Sequence, residues 1–365
     1  MKNIKETYEF DAIIIGAGII GLAIACELRS KFENILLIEK EPTFGRHISS
    51  RNSEVIHSGI YYKTNSLKAK LCFEGNQLIY DFAKKYSIDH QNCGKIIIAS
   101  NENEIEQLER LRINGLENGL EELIILSKNE ISKREPVIKA AAGLWVPSSG
   151  IIDSHGMMHK LEYLAKSKNC TIVYNTEVKD INFQNNMYNL TFKDLAYQAT
   201  SKIIINSAGL FCDKVSSMIG MDNHKLHYCK GEYYKTSLYR NKIHSLIYPI
   251  PTDISLGIHV VLHLDGTIGF GPNAYFVDEI NYKLDTIHKK DFLMNIKKYL
   301  DLDEDDLSED FAGIRPKLQK KGETDFIIRN ETEKGYNNFI NLIGIDSPGL
   351  TSSLAISKYV KSIIN

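Results

Sequence analysis

The stretch DAIIIGAGIIGLAIACEL, residues 11–28, followed by NILLIEKE at 34–41, decides the fold of this chain. Ala12 to Ile15 reads as a buried strand running straight into Gly16-Ala17-Gly18-Ile19-Ile20-Gly21, and a helix and a second strand ending at Glu39 follow. Glycines set between a strand and a helix, with an acid closing the next strand, form a dinucleotide-binding βαβ unit in its proper context. Gly16 allows the tight turn, Gly18 lets the backbone approach a pyrophosphate, and Gly21 lets helix and strand pack closely. The free N–H groups and positive dipole end of the helix then hold the phosphates. Glu39 is placed to accept hydrogen bonds from an adenosine ribose and would repel a 2'-phosphate, so the ligand is FAD or NAD and not NADP. Ile20 and Lys40 flank these contacts and are expected beside the same ligand. A chance glycine cluster would explain the turn, but not strand, helix and acid together.

Composition sets the surroundings of this unit. The 365 residues suffice for two domains around a substantial core. A net charge of -2 gives no pull toward nucleic acid. The six cysteines form no CxxC pair and read as reduced thiols of a cytosolic protein. The first apolar run stops at Gly16, too soon for a signal sequence, and no stretch approaches the roughly 20 apolar residues of a membrane helix. Peripheral attachment to a membrane stays open.

Farther on, RHISSRNSEVIHSGIYY (46–62) is polar and hydroxyl-rich and should be a loop near the cofactor, whereas 65–87 has helical apolar spacing. CGKIIIAS (93–100) reads as a strand, 101–127 as a charged helix and connector, and AAGLWVPSSGIID (141–153) as strand-like. A helix capped by Asp153 or Ser154 follows. CTIVYNTEVKDI (170–181), MYNLTFKD (187–194) and KIIINSAGL (202–210) should be strands returning to the first sheet. Strands and hairpins are expected from Tyr228 to Phe276, a helix over 285–300, and strand, glycine turn and helix over 335–365. This pattern predicts an α/β chain with an α+β second domain. A discontinuous Rossmann-like cofactor domain (1–86, 145–222 and 309–365) should pair with a mainly antiparallel β-sheet substrate domain (87–144 and 223–308).

A flavoprotein reduced by a nicotinamide cofactor normally carries a second GxGxxG. GTIGFGPN (266–273) has the wrong spacing and runs into Pro272, so no helix start follows it. NSAGLFCDKVS (206–216) instead follows a strand and brings Ala208 and Gly209 near the same cofactor. One dinucleotide is therefore expected.

The strings RHISSRNSEVIHSGIYY, SLKAKLCFEGNQLIY, CGKIIIA, KGEYY, LIYPIP, GPNA, FAGIRPKL and SPGLTSSLAI, spread over about 11–360, resemble the D-amino-acid-oxidase-type superfamily of FAD oxidoreductases. Within it they are most similar to the L-2-hydroxyglutarate dehydrogenase/oxidase group. The resemblance implies FAD, non-covalent in most members, and electron transfer from a small C–H donor. Ser49, Ser50, Arg51 and Asn52 can hold pyrophosphate and ribitol oxygens through polar and charge-assisted bonds. Val178 matches the position at which family members bind adenine through main-chain atoms, and His47 that of a covalent flavin link in some related amine dehydrogenases. The turn Gly344-Ile345-Asp346-Ser347-Pro348-Gly349-Leu350-Thr351 opens a helix whose N–H groups can face the flavin edge on which charge develops.

For the substrate, the resemblance places Arg315 beside the flavin, where its planar fork can clamp a carboxylate. A 2-hydroxy acid must lose a hydroxyl proton as hydride leaves its carbon, and His57 and His259 are the candidate bases. Tyr61, Tyr62 and Lys230 are expected in the pocket. Val260-Val261-Leu262-His263 departs from the group's threonine and arginine, and Ile345-Asp346-Ser347-Pro348-Gly349-Leu350 from its alanine-rich turn, so the distal carboxylate of 2-hydroxyglutarate is expected to lack its usual partner. His155 and His159 lack further ligands at metal spacing, and the acidic run 301–306 lacks the glycine and glutamate of a calcium loop, so no metal is expected. Three functions follow from these readings. The first is oxidation of a small 2-hydroxy acid, L-2-hydroxyglutarate by preference, with a quinone, electron-transfer protein or dioxygen as acceptor. The others are oxidation of an amino acid, secondary amine or glycerol phosphate, and a non-catalytic FAD-binding assembly factor.

Overall fold

The computed structural model describes residues 6–251 and 257–365. Its centre is a six-stranded sheet in the order Cys170–Val173, Ile35–Ile38, Ala12–Ile15, Ile204–Asn206, Phe339–Ile343, Ile327–Asn330. All pairs are parallel except the last. The inner strands are buried along their whole length because both faces are covered, and the two asparagines among them, Asn206 and Asn341, are hydrogen-bonded to each other. Ala12 and Ile14 point to the side packed by helices Ile19–Leu28, Ser154–Lys166 and Gly349–Ile363. Ile13 and Ile15 point the opposite way, to Tyr188, Leu190 and Phe339.

That second side is roofed by a four-stranded sheet, Glu6–Phe10, Tyr197–Ser201, Met187–Phe192, Val178–Gln184. Two segments expected to rejoin the first sheet, TEVKDI and MYNLTFKD, form this separate layer. Glu6–Phe10 was invisible to hydrophobic pattern because it is a largely exposed strand held by its pairing with Tyr197–Ser201.

A nine-stranded sheet makes the other half of the molecule, built on the long strand His227–Thr236. It includes Lys95–Ala99, Leu246–Pro249, Val260–Leu262, Ile268–Phe270 and Ser308–Lys317. Register sorts its side chains: Cys229 pairs with Arg315 and Gly231 with Gly313, while Leu246 pairs with Lys95 and Tyr248 with Ile97. Directly paired residues share a face, so Gly231, Tyr233, Tyr248, Gly313, Arg315 and Lys95 all project toward the six-stranded sheet. Tyr234, Val260 and Phe270 take the opposite, core-facing side.

Sheet membership corrects two expected boundaries. Ala142–Val146 pairs with Lys95–Ala99, so the break expected at 145 falls inside a strand of the large sheet. Ser308–Lys317 pairs along His227–Thr236, so the return expected at 309 comes only after Lys317. The physical reason is strand length: FAGIRPKL continues along the ten-residue neighbour with which it pairs.

Candidate active site

A cavity of about 390 Å³ runs between the two large sheets. Its first end is the fingerprint. Gly16 has φ +103°, and a Cβ there would lie 2.7 Å from the Ser207 carbonyl oxygen. A Cβ on Gly21 would lie 1.9 Å from the Gly16 carbonyl, so Gly21 is a packing residue and stays off the wall that Gly16, Gly18 and Ile20 line. The Glu39 carboxylate, on the wall beside Lys40, accepts from Ala17 N–H at 2.7 Å and Glu41 N–H at 3.0 Å. It therefore braces the glycine turn as well as facing the cavity. Lys40 lies 3.3 Å over the Phe211 ring, and Val178 closes this end.

The loop 47–53 forms the middle. Ser49 Oγ accepts from Ile19 N–H at the helix start, 2.9 Å, and Asn52 donates to the Ile48 and Ser49 carbonyls. His47, Ser49, Arg51 and Asn52 line the cavity, with Ala208 and Gly209 opposite; Ser50 does not. Both His47 ring nitrogens are engaged, Nδ1 with Tyr282 Oη at 2.8 Å and Nε2 with Glu41 at 3.0 Å. Burial works to raise the Glu41 carboxyl, but His47 and Lys40 outweigh it and hold it below the usual range. The Arg51 guanidinium sits 4.1 Å over Tyr282, and its buried Nε has no hydrogen-bond partner among the described residues.

The inner end gathers the reactive candidates. Ser347, Pro348, Gly349 and Leu350 line it, whereas Gly344 (φ +70°) shapes the turn and Thr351 is buried beneath. Thr351 Oγ1 accepts from His57 N–H at 2.9 Å, which pins His57 against the turn. His57 Nε2 lies 3.3 Å from Ser347 Oγ, and its Nδ1 is buried without a partner among the described residues. His259 stacks on Tyr248 at 3.7 Å, and its Nδ1 lies 3.0 Å from the Gly257 carbonyl. A carbonyl only accepts, so Nδ1 carries the proton and Nε2 the lone pair. Burial, aided by Lys95 and His259, pushes His57 well below the ordinary histidine range; burial, aided by Lys95 and Arg315, pushes His259 down to about 3. Both shifts favour the neutral imidazole at neutral pH. Arg315 donates through Nη2 to the Asn273 carbonyl at 2.9 Å, and a Cβ on Gly231 would lie 2.6 Å from that nitrogen. Glycine at 231 makes the room that the guanidinium occupies.

Three expected pocket residues lie elsewhere. Lys230 is out of phase with Gly231 and Tyr233, so it faces away and donates to the Lys283 carbonyl beside Glu232. Tyr61 and Tyr62 are off the wall as well, Tyr62 Oη reaching Ser347 Oγ at 3.4 Å from outside. The departures at 260–263 also fall off the wall; Val260 and Val261 are sheet core. Residues that sequence reading missed include Tyr248, Pro272 and Gly313, and Tyr233, by sequence as much a packing residue as a pocket one, lines the wall as well. Period-two alternation along GEYY separates Tyr233 from Tyr234 and was the available signal.

A glycine-turn βαβ unit whose cavity runs on to an arginine and a histidine of a second sheet and to a further histidine held by the turn 344–351 defines a dinucleotide-dependent oxidoreductase. The chain belongs to the FAD dependent oxidoreductase family, whose profile matches residues 11–363. It is 33% identical over 397 residues to the mitochondrial L-2-hydroxyglutarate dehydrogenase of Arabidopsis thaliana, covering 96% of this chain and 82% of that protein. It is 30% identical to a glycerol 3-phosphate dehydrogenase of Caloramator mitchellensis, covering 97% and 74%. The solved L-alpha-glycerophosphate oxidase of Mycoplasma pneumoniae with FAD bound superposes with a TM-score of 0.89 at 30% identity, covering 98% and 95%. The residues present fit FAD. The cavity is continuous from Glu39 to Arg315, a Cβ on Gly18 would crowd it 3.0 Å from Ser49 Oγ, and the orphaned Arg51 Nε is a donor suited to a phosphate or flavin acceptor. Among the described residues no helix is long and apolar enough to cross a membrane.

Proposed function

We propose that this protein oxidises a small 2-hydroxy acid, L-2-hydroxyglutarate by preference, to the 2-oxo acid. The observation that carries the reading is Arg315 projecting into the cavity on the sheet face that also presents His259. Bound FAD supplies the acceptor for the hydride and its electron pair. Gly16, Gly18, Glu39, Ser49, Arg51, Asn52, Val178 and the turn 347–350 would hold it, the glycine-turn helix toward its phosphates and the 347–350 turn toward its flavin edge. Arg315 binds the substrate carboxylate through its planar fork and orients the carbinol carbon. His57 accepts the hydroxyl proton, with Ser347 Oγ and Tyr62 Oη continuing a path away from it. His259, rigidly stacked and of fixed tautomer, positions the substrate oxygen.

The likeness to the Arabidopsis dehydrogenase supports the substrate; the Mycoplasma oxidase and the Caloramator dehydrogenase favour glycerol phosphate as the second reading. The electron acceptor is a quinone, an electron-transfer protein or dioxygen, and the work is cytoplasmic, at a membrane face where the acceptor is a quinone. We assign the cofactor domain to the six- and four-stranded layers and the substrate domain to the nine-stranded sheet. Anaerobic bleaching of the flavin absorbance tests the function. L-2-hydroxyglutarate should bleach it, bleaching by glycerol 3-phosphate alone selects the second reading, and no bleaching by any hydroxy acid, amine or glycerol phosphate selects an assembly role.

A further inference from the structure

On the cavity-facing side of the large sheet, one strand beyond Tyr248, lies Lys95, which is completely buried. Its Nζ sits 4.2 Å from the Tyr248 ring and 5.2 Å from the Tyr61 ring, and no carboxylate among the described residues pairs with it. Lys95 Nζ, Tyr61 Oη, Tyr248 Oη and His57 Nδ1 are all buried and all without hydrogen-bond partners among the described residues. Two aromatic faces compensate a desolvated ammonium only in part, and four unmet polar atoms in one place are costly for a core to keep. Such a group is satisfied by a second anion.

We propose that Lys95 is a specificity-determining residue: seated behind the wall residue Tyr248, it draws, with the Tyr248 hydroxyl, the distal carboxylate of a dicarboxylic 2-hydroxy acid, while Arg315 holds the carboxylate next to the carbinol carbon. This rests on the 2-hydroxy acid reading above and names its substrate class. Register supports it. Arg315 and Lys95 lie on the same face of the sheet, with the strands bearing Tyr233 and Tyr248 and the residue His259 between them. Both cations act on His259 to hold it neutral, so both charges are felt at one point of the site. Burial lowers the Lys95 ammonium to about 8, which leaves it charged at neutral pH; Cys72 and Cys93 act to raise it, and Tyr61, Tyr248, His57 and His259 face it.

The test compares FAD-loaded parent and Lys95→Met on L-2-hydroxyglutarate, L-lactate and glycerol 3-phosphate, with flavin absorbance titrations by glutarate and butyrate. Lys95→Met should lose about tenfold or more in kcat/KM for L-2-hydroxyglutarate, chiefly through KM, and about tenfold in glutarate affinity. L-lactate, butyrate and glycerol 3-phosphate carry one anionic group each and should change less than about twofold. Equal losses across all substrates, or an unchanged dicarboxylate, would overturn the assignment. If the parent oxidises neither hydroxy acid, the functional reading fails, while glutarate against butyrate still decides Lys95. Tyr248→Phe, which keeps the ring and removes only the hydroxyl, is the second variant should Lys95→Met not fold: it should raise the dicarboxylate KM alone, and no change there counts against the proposal.

Discussion

The role proposed for Arg315 separates substrate binding from cofactor binding. Arg315→Met removes a charge-assisted fork whose bonds are worth about 1.5–3 kcal/mol. The expected outcome is a rise in KM of one to two orders of magnitude with flavin content unchanged, read by steady-state kinetics beside the flavin-to-protein absorbance ratio. The histidines answer to pH. Protonation removes a base, and burial holds both below the ordinary range, so the acid limb of kcat/KM should fall well below pH 6.5, the usual histidine value. His57→Asn should lower kcat by about 10²–10⁴, and His259→Asn by less, with flavin retained in both. A limb centred near the usual histidine value would contradict the neutral, desolvated site. Of these residues the resemblance to known FAD oxidoreductases pointed to Arg315, His57 and His259. Alternation along GEYY separates Tyr233 from Tyr234 but does not say which of the two faces the cavity, and Tyr248 stayed hidden in an apolar strand for the same reason.

Among elements, the junctions carry the site. Helix Ile19–Leu28 can pack on strand Ala12–Ile15 only because position 21 lacks a Cβ. Gly21→Ala must displace the helix start from the Gly16 carbonyl, and the purified protein should come out largely free of flavin. The turn 344–350 has its own anchor in Asp346, buried between Lys68 at 2.8 Å and Lys317 at 2.6 Å. These ties join the turn to helix Leu67–Tyr86 and to the strand that bears Arg315. Burial alone would raise the Asp346 carboxyl, but the two lysines outweigh it and lower it. Its folded value lies below its unfolded one, so the stabilisation is complete above the ordinary aspartate range and is lost as pH falls through the folded value. Asp346→Asn leaves a buried ammonium unpaired, for which removal of one partner costs about 3–5 kcal/mol. Chemical denaturation at neutral pH should register that loss.

For the molecule as a whole, the cavity lies between two sheets that cross-link chiefly through loop 47–53, the turn 344–350 and strand Ser308–Lys317. A ligand spanning them binds only the folded state, so FAD at 100 times its Kd should stabilise the apoprotein by about 2.7 kcal/mol. Calorimetric melting at rising FAD concentration measures it, and a Tm indifferent to FAD would contradict a cofactor shared by both halves. By itself the sequence determined the βαβ unit, its glycine turn and Glu39, and narrowed the cap of the helix at 154 to Asp153 or Ser154, because each depends on residues close in the chain. It also carried the strings that mark an FAD oxidoreductase. Tertiary structure alone decided the four-stranded roof, the membership of Ser308–Lys317 in the large sheet, and which of two alternating residues faces the cavity. Lys95, Tyr248, His259 and Arg315 share one face only through strand register, and register is set by pairing between segments far apart in sequence, which no local pattern records.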